Sequence, residues 1–119
     1  MNTMNESCIF CALSADDVIA ENDLAIAIRD KYPVTHLHSL IIPARHVINY
    51  FDCSAEEREA IHHLLVQCRL EILCADASVT GFNVGTNVGK TAGQKIPHVH
   101  VHLIPRRKGD IAPPPAYAD

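Results

Sequence analysis

The sequence predicts one long helix set among β-strands, and three observations carry the prediction. A capping box opens one long helix at Ser54. Extended apolar segments lie on both sides of that helix. Near the end, Pro97-His98-Val99-His100-Val101-His102-Leu103-Ile104-Pro105 alternates histidine with apolar residues. As a β-strand this period of two sends every histidine to one face and Val99, Val101 and Leu103 to the other. The apolar face can enter a core while the histidine face lines a site. His98 and His102 would lie roughly 13 Å apart along the backbone, too far for all three histidines to grip one metal ion.

Residues 1–7 read as a flexible start. Cys8-Ile9-Phe10-Cys11 is a C-x-x-C pair: a redox couple, half of a zinc site, or two incidental thiols. No strand precedes it, which favours zinc over a thioredoxin-like couple. Leu24 to Arg29 reads as a strand closed by Asp30-Lys31-Tyr32-Pro33. Leu37 to Ile42 reads as another, stopped by Pro43. Ser54-Ala55-Glu56-Glu57 then starts the helix. Ile61, Leu64, Leu65, Cys68 and Ile72 form one apolar stripe; Val66, Leu70 and Leu73 form a second, roughly opposite. In so small a domain the second stripe suits a partner subunit.

Four of the five glycines, at 81, 85, 89 and 93, precede the histidines. Gly89-Lys90-Thr91 is not a P-loop, because position 84 is Val and no helix can follow through Gly93 and Pro97. A strand from Phe82 to Asn87 is expected instead, then a turn from Gly89 to Gly93 whose backbone amides suit phosphate oxygens. Residues 109–119 form a Pro-rich tail, expected to be extended or disordered.

At 119 residues and 48% hydrophobic composition, the chain is one domain. A net charge of −4 argues against electrostatically driven nucleic-acid binding. No apolar run reaches membrane-spanning length, and residues 1–6 have no signal-peptide character. Five cysteines, an odd number, fit a reducing compartment, so the cytoplasm is the expected location.

A histidine-faced strand beside a glycine turn suggests a nucleophile beside a phosphate cradle, since imidazole is unprotonated near neutrality. No serine elbow, H-E-x-x-H motif or carboxylate pair competes with it. Gly93-Gln94 followed by His98-x-His100-x-His102 resembles the signature of the histidine-triad (HIT) superfamily. So do Cys8-Ile9-Phe10-Cys11, Arg29 to Thr35, His38 to His46 and Gly81 to Gly85, which are similar to bacterial members. The resemblance covers residues 8–108.

That resemblance implies an α+β fold with a five-stranded antiparallel sheet and one long helix, a homodimer, and nucleotidyl hydrolysis or transfer through a nucleotidyl-histidine. His100 matches the nucleophile, His102 the residue contacting the transferred phosphoryl group, and His98 and His38 the supporting histidines. Asp30 matches the ribose-binding carboxylate and Asn87 an amide near the phosphates, with Gly93, Gln94 and Lys95 beside them. Arg45 and Arg106 are less securely placed. In the zinc-bearing branch the C-x-x-C pair is completed by two histidines, matching Cys8, Cys11, His46 and His98 around a structural zinc. This chain departs from the family in having His36-Leu37 where Pro-Gly is frequent, and Lys95 where a small hydroxyl residue is common.

The expected activity is release of a nucleoside monophosphate, AMP first, from a purine nucleotide substrate such as a dinucleoside polyphosphate. Alternatives are nucleoside phosphoramidate hydrolysis, or a nucleotide-binding interaction module with little turnover. A purely zinc-binding structural protein leaves the glycine turn and Asp30 unexplained.

Overall fold

A computed structural model describes residues 7–112; all but the last residue of the expected flexible start (1–7) and most of the Pro-rich tail (109–119) lie outside the described residues. Five strands, β1 (Val18–Glu21), β2 (Ala25–Arg29), β3 (Ser39–Pro43), β4 (Val79–Gly85) and β5 (Val101–Arg107), form one antiparallel sheet in the order β1-β2-β3-β5-β4. One helix, α1 (Ala55–Ala75), crosses it. The expected α+β fold is the one observed.

The helix begins where the sequence places it. The Ser54 hydroxyl accepts from the Glu57 amide, and the Glu57 carboxylate accepts from the Ser54 amide. Ile61, Leu64, Cys68 and Ile72 are buried against Ala25, Ala27, Ile41, Val101 and Leu103 of the central strands. Of the opposite stripe, Val66 is 46% and Leu70 53% exposed, while Leu73 packs against the core. No helix among the described residues is long and apolar enough to cross a membrane.

Strand β1 has no counterpart in the expectations drawn from composition. It is a short edge strand, joined to β2 through Asn22, whose carboxamide oxygen accepts from the Leu24 and Ala25 amides. The other strands are shifted by a few residues. The shift that matters is in β5, which starts at Val101 instead of Pro97. His98 donates its amide to the Ile96 carbonyl in a tight bend, and Val99 donates to Val47 rather than to a strand. His98 and His100 therefore precede the ladder. Val99 packs with Val47 and Cys53 rather than with the helix-facing core.

The turn before β3 also differs from the strand expected there. Thr35 to His38 closes through the His38 amide on the Thr35 carbonyl, with Leu37 at φ +74°. A positive φ at the third residue is the mark of a type II turn, which favours Pro-Gly at its centre. Leu37 thus holds a glycine's conformation without being one. Its carbonyl accepts from the Ser39 hydroxyl, and the His36 carbonyl accepts from Arg107.

Candidate functional site

Six rings stand in a row across the sheet: His46, His98, Phe10, His100, His102 and His38, with neighbouring centroids 5.1–5.8 Å apart. The expected shared histidine face is present, but Phe10 divides it into two sites. His98 faces Cys8 and Cys11. His100 and His102 face a pocket of about 440 Å³ with His38, Asp30, Asn87, Gly93 and Lys95 on its walls.

Backbone partners fix the protons on these rings, because a carbonyl only accepts and an amide only donates. His98 Nε2 is 2.9 Å from the Pro43 carbonyl, so Nε2 carries the proton and the Nδ1 lone pair faces the cysteines. His100 Nδ1 is 2.9 Å from the carbonyl of His98, so Nδ1 carries the proton and Nε2 keeps the lone pair. The Val34 amide donates to His38 Nδ1 at 3.0 Å, placing the His38 proton on Nε2. That proton points at His102 Nδ1, 2.9 Å away, so His102 in turn carries its proton on Nε2. A bare imidazole nitrogen and an imidazole N–H are the result, on neighbouring rings.

Burial holds the neutral forms. It pushes the His38 imidazole below its ordinary range, opposed by Asp30 and aided by Arg106. His102 is lowered first by burial and then by His100 and His38, against Asp30. His98 is lowered by burial too.

The two His-containing clusters differ in what they can hold. Cys8 Sγ, Cys11 Sγ, His46 and His98 offer ligand atoms that all lie within 4.8 Å of one another. His98 Nδ1 is 3.4 Å from Cys8 Sγ and 3.3 Å from His46 Nδ1. A Cys₂His₂ donor set, with a carbonyl on the outer nitrogen of His98, fits a closed tetrahedral metal site. Asp30, His38 and His102 are as tightly grouped. There, however, His38 Nε2 carries the ring's only proton, and a metal at that atom would demand an imidazolate. The first cluster suits a metal ion; the second is a proton-ordered chain.

The residues 13–109 match the model of the HIT domain. The chain belongs to the HIT family. A Zn-bound histidine triad family protein from Mycobacterium smegmatis superposes with a TM-score of 0.78 at 31% identity, over 87% of this chain and 78% of that one. A hypothetical histidine triad nucleotide-binding protein from Sulfolobus tokodaii gives 0.77 at 34% identity, over 86% and 70%. Among curated relatives, adenylylsulfatase HINT3 of Arabidopsis thaliana is 33% identical over 118 residues, 92% of this chain and 57% of that protein.

Within this HIT chain, Gln94, expected near the ligand, is placed elsewhere, and the two less securely placed arginines, Arg45 and Arg106, pair with neighbouring side chains. Gln94 does not line the pocket. Its side-chain oxygen accepts from the Gly89 amide, and its NH₂ donates to the Ile48 and Ile96 carbonyls, so it braces the loop. Arg45 grips the Glu57 carboxylate through Nε and Nη2, at 3.0 and 2.8 Å. Arg106 donates to the side chain of Asn83.

The glycine turn also departs from the expected amide cradle. The Gly89 amide goes to Gln94, and those of Ala92, Gly93 and Gln94 to carbonyls inside the turn. Gly93 has a different reason to be glycine. Its φ is +94°, and a Cβ there would stand 3.3 Å from the Asn87 side chain.

The apolar end of the pocket escaped sequence reasoning: Ile9, Phe10, Leu13, Ile28 and Leu40 line it. Their only signal is apolarity, which a core residue shares. Phe10 had one further cue, its place inside the C-x-x-C pair.

Proposed function

We propose that the chain transfers a nucleoside monophosphate from a nucleotide substrate to His100 and then to water. The observation that carries this reading is the 2.9 Å bond from His100 Nδ1 to the His98 carbonyl, which puts the proton of the neutral ring on Nδ1 and the lone pair on Nε2. In the first step Nε2 attacks the α-phosphorus. The P–N bond forms as the bond to the leaving group breaks, and the leaving group takes that electron pair. Water then attacks the same phosphorus and gives up a proton to solvent, and the electron pair of the P–N bond returns to Nε2 as the monophosphate departs. His102 Nε2–H faces the charge that develops on the phosphoryl oxygens. Asp30 and the apolar end suit a ribose and a purine.

Dinucleoside polyphosphates are the first substrate class, with adenosine phosphosulfate added by the adenylylsulfatase relative. Zinc on Cys8, Cys11, His46 and His98 would be structural: it would staple the chain start to the site and leave no position for water. A second copy suits the uncovered stripe of Val66 and Leu70 and the exposed edge of β4 at Val84. Light scattering tests this, a monomeric mass being the contrary result.

The test of the main reading is AMP release from diadenosine tetraphosphate and adenosine phosphoramidate by wild type and His100→Ala. Turnover lost in the variant, with AMP binding and metal content retained, supports it. A wild type that binds AMP and cleaves neither substrate makes the chain a binding module.

A further inference from the structure

We infer that Lys95 selects the leaving group, favouring one that departs as an anion (a phosphate, polyphosphate or sulfate) over one that departs as a neutral amine. The inference rests on the nucleotidyl-transfer reading and deepens it.

The strand order β2-β3-β5-β4 sets two connections on opposite sides of His100 and His102. The β2–β3 connection carries Asp30. The β4–β5 connection carries Asn87, Gly93 and Lys95, all of which line the pocket. With the ribose at Asp30 and the α-phosphorus at His100, the β4–β5 side is where the leaving group lies. Lys95 is its cation. No ion pair or hydrogen bond holds the ammonium among the described residues. Its backbone, by contrast, is fixed. The Gln94 carboxamide on one side bonds to Gly89, Ile48 and the carbonyl of Ile96 on the other. A chain of net charge −4 thus presents, from a braced loop, a cation with no partner among the described residues.

When a polyphosphate or sulfate leaves, the oxygen of the breaking P–O bond keeps the electron pair and gains negative charge. Lys95 stabilises that charge more in the transition state than in the substrate. An amine leaving from a phosphoramidate takes a proton from solvent and departs neutral, so it gains nothing from the ammonium. Charges roughly 6 Å apart at an effective dielectric of about 40 give a discrimination of about tenfold.

The test is kcat/KM for wild type, Lys95→Ser and Lys95→Arg on diadenosine tetraphosphate, adenosine phosphosulfate and adenosine phosphoramidate, each variant checked by thermal melt. Lys95→Ser should lower the ratio of anionic to amine leaving-group substrates about tenfold, and Lys95→Arg should restore it. The wild-type ratio should fall as salt rises from about 0.02 to about 0.5 M. An unchanged ratio in Lys95→Ser, or no salt dependence, overturns the role of Lys95 alone. A wild type that cleaves none of the three overturns the parent reading and this one with it.

Discussion

Acidifying the protein from pH 6.5 to 5.5 should destabilise it through His38 and His102 in particular, by up to about 1 kcal/mol for each. The Val34 amide points at His38 Nδ1, and the His38 N–H points at His102 Nδ1. A second proton on either ring would set one N–H against another. Both imidazoles are held below their ordinary range chiefly by burial. The unfolded chain has no such constraint and takes up a proton near pH 6.5. Protonation stabilises each unfolded imidazole by RT ln(1 + 10^(pKa−pH)), about 0.4 kcal/mol at pH 6.5 and about 1.4 at pH 5.5. The sign follows from the lowered folded values. The contribution is present above about pH 6.5 and is lost as pH falls toward them.

Carboxylates scarcely titrate in this window, and the remaining histidines are common to wild type and variant. Urea unfolding of wild type and His38→Gln/His102→Gln at both pH values therefore isolates the pair. The substitution will offset the stability curve, but the informative quantity is its slope. Wild type should lose up to about 2 kcal/mol more than the variant. Equal slopes would refute the proton-ordered chain.

Three further predictions concern the frame around the site. Arg45→Met strips two charge-assisted bonds from Glu57, whose side chain is 5% exposed. With Arg45 itself 43% exposed, the loss should be about 2 kcal/mol, or about 8 °C in Tm, and a melt within about 2 °C of wild type would contradict it. Leu37→Ile keeps the side-chain volume but places a β-branch at φ +74°, and should cost about 1–2 kcal/mol in urea unfolding. A neutral result would mean the turn relaxes. Cys8→Ser/Cys11→Ser should abolish metal uptake, read with a chromogenic chelator, and weaken AMP binding about tenfold by calorimetry. The reason for the second effect is that Phe10, between the two cysteines, also walls the pocket. Unchanged AMP affinity would make the two sites independent.

What the sequence made legible was periodic or punctuated. The helix declared itself through Ser54 and Glu57 and an apolar stripe at helical spacing, and those residues are capped or buried as expected. Strand β1 has four residues and alternates half-buried with exposed positions, so its apolar signal is weak. The Asn22-Asp23 pair between two extended runs was the available hairpin cue. Gln94 was misplaced because a polar side chain near a site is read as facing a ligand. Whether it instead braces a loop depends on contacts made by distant segments, here the Ile48 carbonyl. Leu37 illustrates the converse. A local rule demands glycine there, and the bonds made by the turn's neighbours hold leucine in its place.

The most consequential departure is the late start of β5. Had the ladder begun at Pro97, its carbonyls would have been committed to strand partners. Because it begins at Val101, the His98 carbonyl is left to take the proton of His100 Nδ1. The β3–β5 pairing likewise ends at Ile41 and Val101, leaving the Pro43 carbonyl to take the proton of His98 Nε2. Alternation in the sequence thus selects which side chains face the site, while the interruption of the sheet sets which nitrogen of each carries a lone pair. One peptide unit then serves both sites: the ring of His98 faces the cysteines, and its carbonyl orients His100. A metal ion on that ring would hold the carbonyl in place, so a structural metal would orient His100 Nε2, the proposed nucleophile, from outside the pocket.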